Sequence, residues 1–222
     1  MDVTVDAVVF AYIDKELNVL LIKRAFEPFL DQWALPGGFM LEDESADSSV
    51  IRKLDEETNV KLNYLEQLYT FTNVNRDPRK RIISITYFAL INPTNQSLNT
   101  NIHAKDVKWF PLNEIKNLEV AFDHRIIIDY ALVRLKNKIV YEPIGFELLP
   151  TQFSMSNLYD LYVSILGRDL DRRNFIRKIN GFDLLKKTQN KTNGHIGKRA
   201  QLFEFNKEKY YKLKVSGFNF DV

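Results

Sequence analysis

Apolar residues recur along the N-terminal part of the chain in two rhythms. From Asp2 to Tyr12 they alternate in part with polar positions among β-branched residues, which predicts a strand. Asp14-Lys15-Glu16 marks a turn, and Leu17 to Lys23 is a second apolar run, so the pair reads as a hairpin. Arg24 to Gln32, with Pro28, reads as a loop. Ala46, Val50 and Leu54 then recur four residues apart and predict a helix from about Ser45 to Thr58. Asn59 tolerates the left-handed conformation and suits its end. Lys61 to Val74 and Arg81 to Ile91 are two further strands, the second nearly apolar throughout, as a central strand is. Polar Asn92 to Asn101 is a loop, Lys105 to Phe110 a short strand, and Asn113 to Asn117 a helical turn. Asp123 then caps a helix reaching Lys136, with Ile127, Ala131 and Leu135 inward and Arg134 at the edge.

The pattern breaks where Pro143, Gly145 and Pro150 punctuate the chain, which predicts two domains, 1–142 and 143–222. Beyond the break, Leu158, Leu161, Tyr162, Ile165 and Leu166 form a helical stripe, with Ser154 or Ser156 as cap and Gly167 as stop. A second helix runs from about Asp171 to Asn180. Phe175 and Ile179 face the first helix, while Arg172, Arg173 and Arg177 face outward. Phe182 to Thr188, a loop at Gln189 to Lys198 with Gly194 and Gly197, and a strand at Arg199 to Asn206 complete the set. Helix, basic helix and glycine-bearing hairpin are the parts of a winged helix-turn-helix, whose second helix enters the major groove. Arg172, Arg173, Asn174, Arg177 and Lys178 are the candidate DNA contacts on that helix, with Lys198 and Arg199 on the wing. A solvated basic face on a protein-binding module is the competing reading.

Charge follows the same division. Residues 1–145 carry 17 Lys and Arg against 21 Asp and Glu, a balance of −4, while residues 146–222 carry 14 against 8, a balance of +6. A basic half suggests a nucleic-acid partner. The chain has no cysteine, which excludes disulfides, Cys-zinc sites and thiol nucleophiles and suits a reducing cytoplasm. Its N-terminus lacks a basic region and cleavage site, and no apolar run approaches the roughly 18 residues of a membrane span, so no membrane partner is expected. His103, His124 and His195 are far apart in sequence, which argues against a His-rich metal site.

The densest chemistry runs from Gly37-Gly38 through Glu44 to Arg52-Lys53-Leu54-Asp55-Glu56-Glu57. A loop leading into a carboxylate-bearing helix is an arrangement that holds Mg²⁺ through carboxylate oxygens and substrate phosphates. The segment resembles the Nudix box, G-x5-E-x7-R-E-U-x-E-E-x-G-U, with U a bulky apolar residue. Gly38, Glu44, Arg52, Leu54, Glu56, Glu57 and Val60 fall on it. The resemblance implies a Nudix α/β/α sandwich with a mixed sheet, within an α+β chain. It also implies hydrolysis of nucleoside diphosphate derivatives with Mg²⁺ or Mn²⁺ on Glu56 and Glu57.

Two positions depart from the box. Asn59 replaces Gly, a mild change, and Lys53 replaces Glu. An ammonium group is neither metal ligand nor base at neutral pH. Two unit charges about 4 Å apart interact by roughly 4 kcal/mol at an effective dielectric near 20, so Lys53 would repel a cation held there. Lys53 is expected to pair with the glutamates in the metal's place, leaving Glu44, Arg52, Lys53, Glu56 and Glu57 as a remnant box with no required cofactor.

A degenerate Nudix domain, then Pro143-Ile144-Gly145-Phe146-Glu147-Leu148-Leu149-Pro150 and Asp171-Arg172-Arg173-Asn174-Phe175, resembles the Nudix-related transcriptional regulators. These include pentose-utilisation regulators of Bacteroidetes type. The resemblance implies a bacterial homodimer that binds a double-stranded DNA operator and senses ADP-ribose, or a sugar such as arabinose in carbohydrate utilisation. Arg76-Asp77-Pro78-Arg79-Lys80-Arg81 is similar to R-D-P-x-x-R segments of Nudix proteins that handle ADP-ribose; it reads as a phosphate contact or as a solvated loop. Pocket logic around the glycine pair selects Arg24, Trp33, Gly37, Gly38, Phe39, Glu57 and Arg81 as effector contacts. An active Nudix hydrolase is the rival reading.

Overall fold

The computed structural model describes residues 1–94, 96–100, 104–192 and 199–222. It divides into two compact units, Met1–Arg134 and Leu135–Val222.

The first unit is built on a sheet of seven strands. β1 (Asp2–Ile13) and β2 (Glu16–Arg24) form the expected hairpin, and β3 (Trp33–Ala34) and β4 (Gly37–Phe39) are short strands on either side of Leu35-Pro36. After α1 (Ala46–Thr58) come β5 (Tyr64–Phe71), β6 (Ile82–Ile91), β7 (Ala104–Pro111), α2 (Leu112–Ile115) and α3 (His124–Lys138). The main path runs β3-β2-β1-β6-β5, with β4 paired to β1 and β7 to β2. β1 and β6 are parallel and the other pairings antiparallel, so the sheet is mixed. Val8 and Phe10 are as buried as Val5, Ala7, Val9 and Ala11, so β1 is covered on both faces. That double burial explains its imperfect alternation.

Local chemistry sets the ends of α1. The Ser45 side chain accepts the Ser48 N–H, and Asn59 adopts the left-handed conformation at φ 57° while its N–H donates to Asp55 O. Val50 and Leu54 bury against β1. α3 buries Ile127, Ile128, Ala131 and Leu135, and Arg134 lies at the edge and pairs with Glu66 at 3.0 Å. Its expected cap is not formed by the Asp123 side chain, because both carboxylate oxygens accept from Arg76 instead.

The second unit begins with the end of α3, a 3₁₀ turn (Pro143–Leu148) and β8 (Phe153–Ser154). α4 (Met155–Leu166), α5 (Arg172–Gly181), β9 (Leu185–Lys191), β10 (Gln201–Phe205) and α6 (Lys207–Val215) follow. The division lies within α3, before the expected 142/143 boundary. Ile139 is fully buried, and a Cβ at Gly145 would meet its side chain at 2.9 Å and the Tyr162 ring at 3.3 Å. The strands form a three-stranded sheet in the order β8-β10-β9. Phe175 packs against the rings of Tyr162 and Tyr159 at 5.0 and 5.6 Å, which locks α5 onto α4. α6 carries four lysines among its apolar residues with no clear stripe, and its helical start comes from Asn206, whose side chain accepts the Lys209 N–H.

Ser154 and Asn157 form a reciprocal capping box at the start of α4. Ser154→Ala should lower the unfolding free energy by about 1 kcal/mol in urea titration; an unchanged midpoint would show that β8 alone sets this helix start.

Candidate functional site

The box is drawn together by a backbone approach that only glycine allows. β4 pairs with β1, setting Gly37 opposite Asp6 and Gly38 opposite Val5. A Cβ at Gly37 would lie 2.3 Å from Val5 O, and one at Gly38 would lie 2.9 Å from Lys53 Cε. The Lys53 stem therefore runs across Gly38 rather than into solvent. Its Nζ reaches Glu56 Oε2 at 3.0 Å. Arg52 bridges the other two acids, contacting Glu44 at 2.5 Å and Glu56 at 3.1 Å. Those contacts pull the Glu44 carboxyl down to about 2. The donor set does not fit a divalent cation: Glu56 is bound by two cationic side chains, Glu44 by one, and an ammonium stands where the box calls for a carboxylate.

Glu57 takes a different direction from Glu56. It is 5% exposed and accepts the Gly37 N–H at 2.9 Å. Burial outweighs that hydrogen bond and pushes its carboxyl up to about 7. It faces a cavity of about 120 Å³ whose walls include Asp6, Arg24, Phe39, Arg79, Phe122 and His124. Asp6 accepts from Ser84 Oγ at 2.5 Å and lies 3.6 Å from Arg76 and 3.8 Å from His124 Nε2. His124 Nδ1 accepts the Leu35 N–H at 2.9 Å, which leaves the proton of the neutral ring on Nε2, facing Asp6. Burial lowers the His124 pKa and favours that neutral form.

The cavity mouth is cationic and aromatic. Arg24 lies 4.8 Å over the Phe122 ring, and Arg79 lies over Phe39 and Phe122 at 5.3 and 5.7 Å. Burial, and then the charge of Arg79, lower the Arg24 pKa. Two guanidiniums this close favour an anion between them. The largest cavity, an open apolar groove of about 720 Å³ bounded by Ile51 and Leu62, shares only Arg52, Leu54 and Val60 with the box and lacks this charge.

Arg24, Gly37, Gly38, Phe39 and Glu57 thus come together on the cavity, while two expected contacts lie outside its walls. Trp33 packs edge-on against Phe110 at 4.7 Å, beside the β2 pairing that holds its backbone. Arg81 donates to Thr72 O at 2.7 Å across the β5–β6 turn. Asp6 and Phe122 were missed. Asp6 had one faint signal, an acid inside an otherwise apolar strand. Arg76 and Arg79 were visible as a cationic loop, and His124 through the Asp123-His124 pair, but not as neighbours of the box.

In the second unit, Arg172, Arg173, Asn174 and Arg177 are exposed on α5, opposite buried Phe175 and Ile179. Arg172 donates to Ser156 Oγ at 2.7 Å and Arg177 to Asn174 Oδ1 at 2.6 Å, which orients both guanidiniums. Lys178 departs from this face and points to Asp221 at 3.4 Å. Arg199 precedes β10, and Lys186 and Lys187 are exposed on β9. Lys198 lies outside the described residues.

The Glu57 carboxyl, raised from 4.5 to about 7, adds stability that is full below about pH 4.5 and lost as pH rises through about 7. A shift of that size corresponds to roughly 3 kcal/mol. His124, lowered by burial, acts in the opposite sense below its ordinary value. The informative quantity is therefore the difference between the native chain and Glu57→Gln, which keeps an acceptor for Gly37. From about pH 4 to about pH 8 the native chain should lose roughly 3 kcal/mol relative to the variant in denaturant unfolding. A pH-independent difference would refute the assignment.

A NUDIX domain model matches residues 3–131, and a model described as the NrtR DNA-binding winged helix domain matches residues 145–205. The "ADPR responsive transcriptional repressor NtrR" of Acinetobacter baylyi is 35% identical over 211 residues, covering 93% of this chain and 83% of that protein. Shewanella oneidensis NrtR, solved with a 27mer DNA, superposes with a TM-score of 0.82 at 35% identity, covering 98% of this chain and 97% of that one. The NUDIX domain of the same Shewanella protein, solved with ADP ribose, is 43% identical with a TM-score of 0.58 over 61% of this chain and 88% of that one. Both domains are matched, in the same order and over nearly the whole length, and the chain belongs to the NrtR family of Nudix proteins with a C-terminal winged helix domain.

Proposed function

We propose that this chain is a DNA-binding transcriptional regulator whose Nudix domain senses an ADP-ribose-type nucleotide without needing to hydrolyse it. One observation carries the reading: Arg52 and Lys53 neutralise Glu44 and Glu56, so the box is closed to metal while the adjoining cavity keeps a cationic, aromatic mouth. Such a mouth suits a diphosphate. A neutral sugar such as arabinose would leave Arg24 and Arg79 facing each other without a counter-charge. The Acinetobacter and Shewanella relatives, named for ADP-ribose response and solved with DNA, support both halves of the reading. We assign sensing to residues 1–142, DNA binding to residues 143–222, and a homodimer on a palindromic operator. Effector binding changes operator affinity only through unequal affinity for the DNA-competent and DNA-incompetent states.

Fluorescence anisotropy on DNA from upstream of the gene tests this. Binding should weaken with salt, the log–log slope falling by about 0.9 for each phosphate contacted. Arg173→Glu with Arg177→Glu should abolish it, and ADP-ribose but not arabinose should shift it. No binding to any upstream fragment at low salt would sink the regulator reading.

A working hydrolase is the second reading, favoured by the retained Glu44, Glu56 and Glu57. It would need Mg²⁺ or Mn²⁺. Lys53→Glu should create Mn²⁺ binding, detectable by electron paramagnetic resonance, together with metal-dependent ADP-ribose cleavage that the native chain lacks. Rapid cleavage by the native chain would overturn the sensor reading in favour of an enzyme.

A further inference from the structure

The phosphate-facing cavity is too small for a whole dinucleotide-sized effector. It measures about 120 Å³, whereas pockets for drug-sized ligands span about 300–1,000 Å³. A second cavity of about 550 Å³ adjoins it and shares the walls Arg76 and Phe122. This groove is apolar on one side, where Phe29, Phe71 and Ile126 line it, and polar on the other, where Asn73 and Asn75 do. Phe29 meets Phe122 edge-on at 4.7 Å, and Phe71 meets Tyr130 at 5.8 Å, so both rings are held in place. The Arg76–Asp123 pair, at 2.8 and 3.0 Å, makes the shared wall rigid. Asn73 Oδ1 accepts the Asn75 N–H at 2.9 Å, which fixes the loop that carries both amides.

We propose that this groove seats the nucleobase of the effector, while the Arg24–Arg79 cavity beside it takes the diphosphate. The inference rests on the nucleotide reading above and extends it to the base. Aromatic side chains give a stacking platform, and asparagine amides match the donor and acceptor edge of adenine. Ile126, 63% exposed, leaves the groove open along one side, as an entering base requires. Continuity with the anionic subsite distinguishes this occupant from a second copy of the chain, which would cover Ile126 without using the cavity.

Titration calorimetry of ADP-ribose into the full chain tests the assignment, with Phe71→Ala and the exposed Asn75→Ala as variants. Each should weaken ADP-ribose about ten-fold, the size of one lost stacking or base-edge contact. The Asn75 variant keeps the test valid if Phe71→Ala fails to fold. The etheno-adenine analogue of ADP-ribose supplies a separate readout. Its fluorescence should be shielded from iodide by the native chain and exposed in both variants. Unchanged affinity and shielding in both variants would overturn the base assignment and leave the nucleotide reading intact. Loss of a dimer in Ile126→Glu, with ADP-ribose affinity unchanged, would give the groove to a second copy. No ADP-ribose binding by the native chain would overturn the nucleotide reading and this inference together.

Discussion

β4 approaches β1 and α1 so closely that neither Gly37 nor Gly38 has room for a side chain. The rest of the site depends on that approach. It brings the Gly37 N–H to Glu57, sets Asp6 against the glycine pair, and gives the Lys53 stem a surface to lie on. With the stem so placed, the ammonium meets Glu56 and not water. A carboxylate at the same position would add a third acid to the face of α1 and leave Glu56 partly free. The change from a metal-binding to a self-neutralised face is thus one side chain in an otherwise retained frame.

Charge is divided between two neighbouring places. On α1, every box cation has an acid within about hydrogen-bond reach, and the face is satisfied without a ligand. At the cavity mouth Arg24 gives its Nε to Pro28 O and Arg79 pairs with Asp77, yet the two guanidiniums still face the same rings. Burying cations together is unfavourable unless an anion joins them. The first place has exchanged catalytic metal chemistry for stability, and the second retains the capacity to recognise phosphate. A sensing domain needs the second and not the first.

Legibility differed with the range of the interaction. The box helix was readable because its period, its Ser45 start and its Asn59 end are local. The same holds for α4 and α5, whose caps Ser154 and Asp171 and apolar stripes lie within a few residues. Lys53 was readable as a departure from a spaced motif, and its pairing with Glu56 three residues on follows from helix geometry. Asp123 was misread as a cap because the Arg76 that claims it lies 47 residues away in sequence. Lys178 was grouped with the arginines of α5, though its place on the flank lets Asp221 near the C-terminus draw it aside. α6 escaped notice because its lysines interrupt any stripe.

The sequence by itself determined the two-part order, the helices with their caps, the remnant box and the basic outward face of α5. All of these are written in short-range periodicity, and backbone geometry converts spacing into facing. Only the tertiary structure decided which residues form the cavity. Asp6 on β1, Arg24 at the end of β2, Glu57 on α1, Arg79 in the β5–β6 loop and Phe122 before α3 meet because strand pairing folds distant segments onto one end of the sheet. Trp33 and Arg81 have the right chemistry and are near in sequence to residues of that cavity. The packing of Trp33 on Phe110 and the bond from Arg81 to Thr72 direct them elsewhere, since a side chain's direction follows from contacts that spacing does not encode.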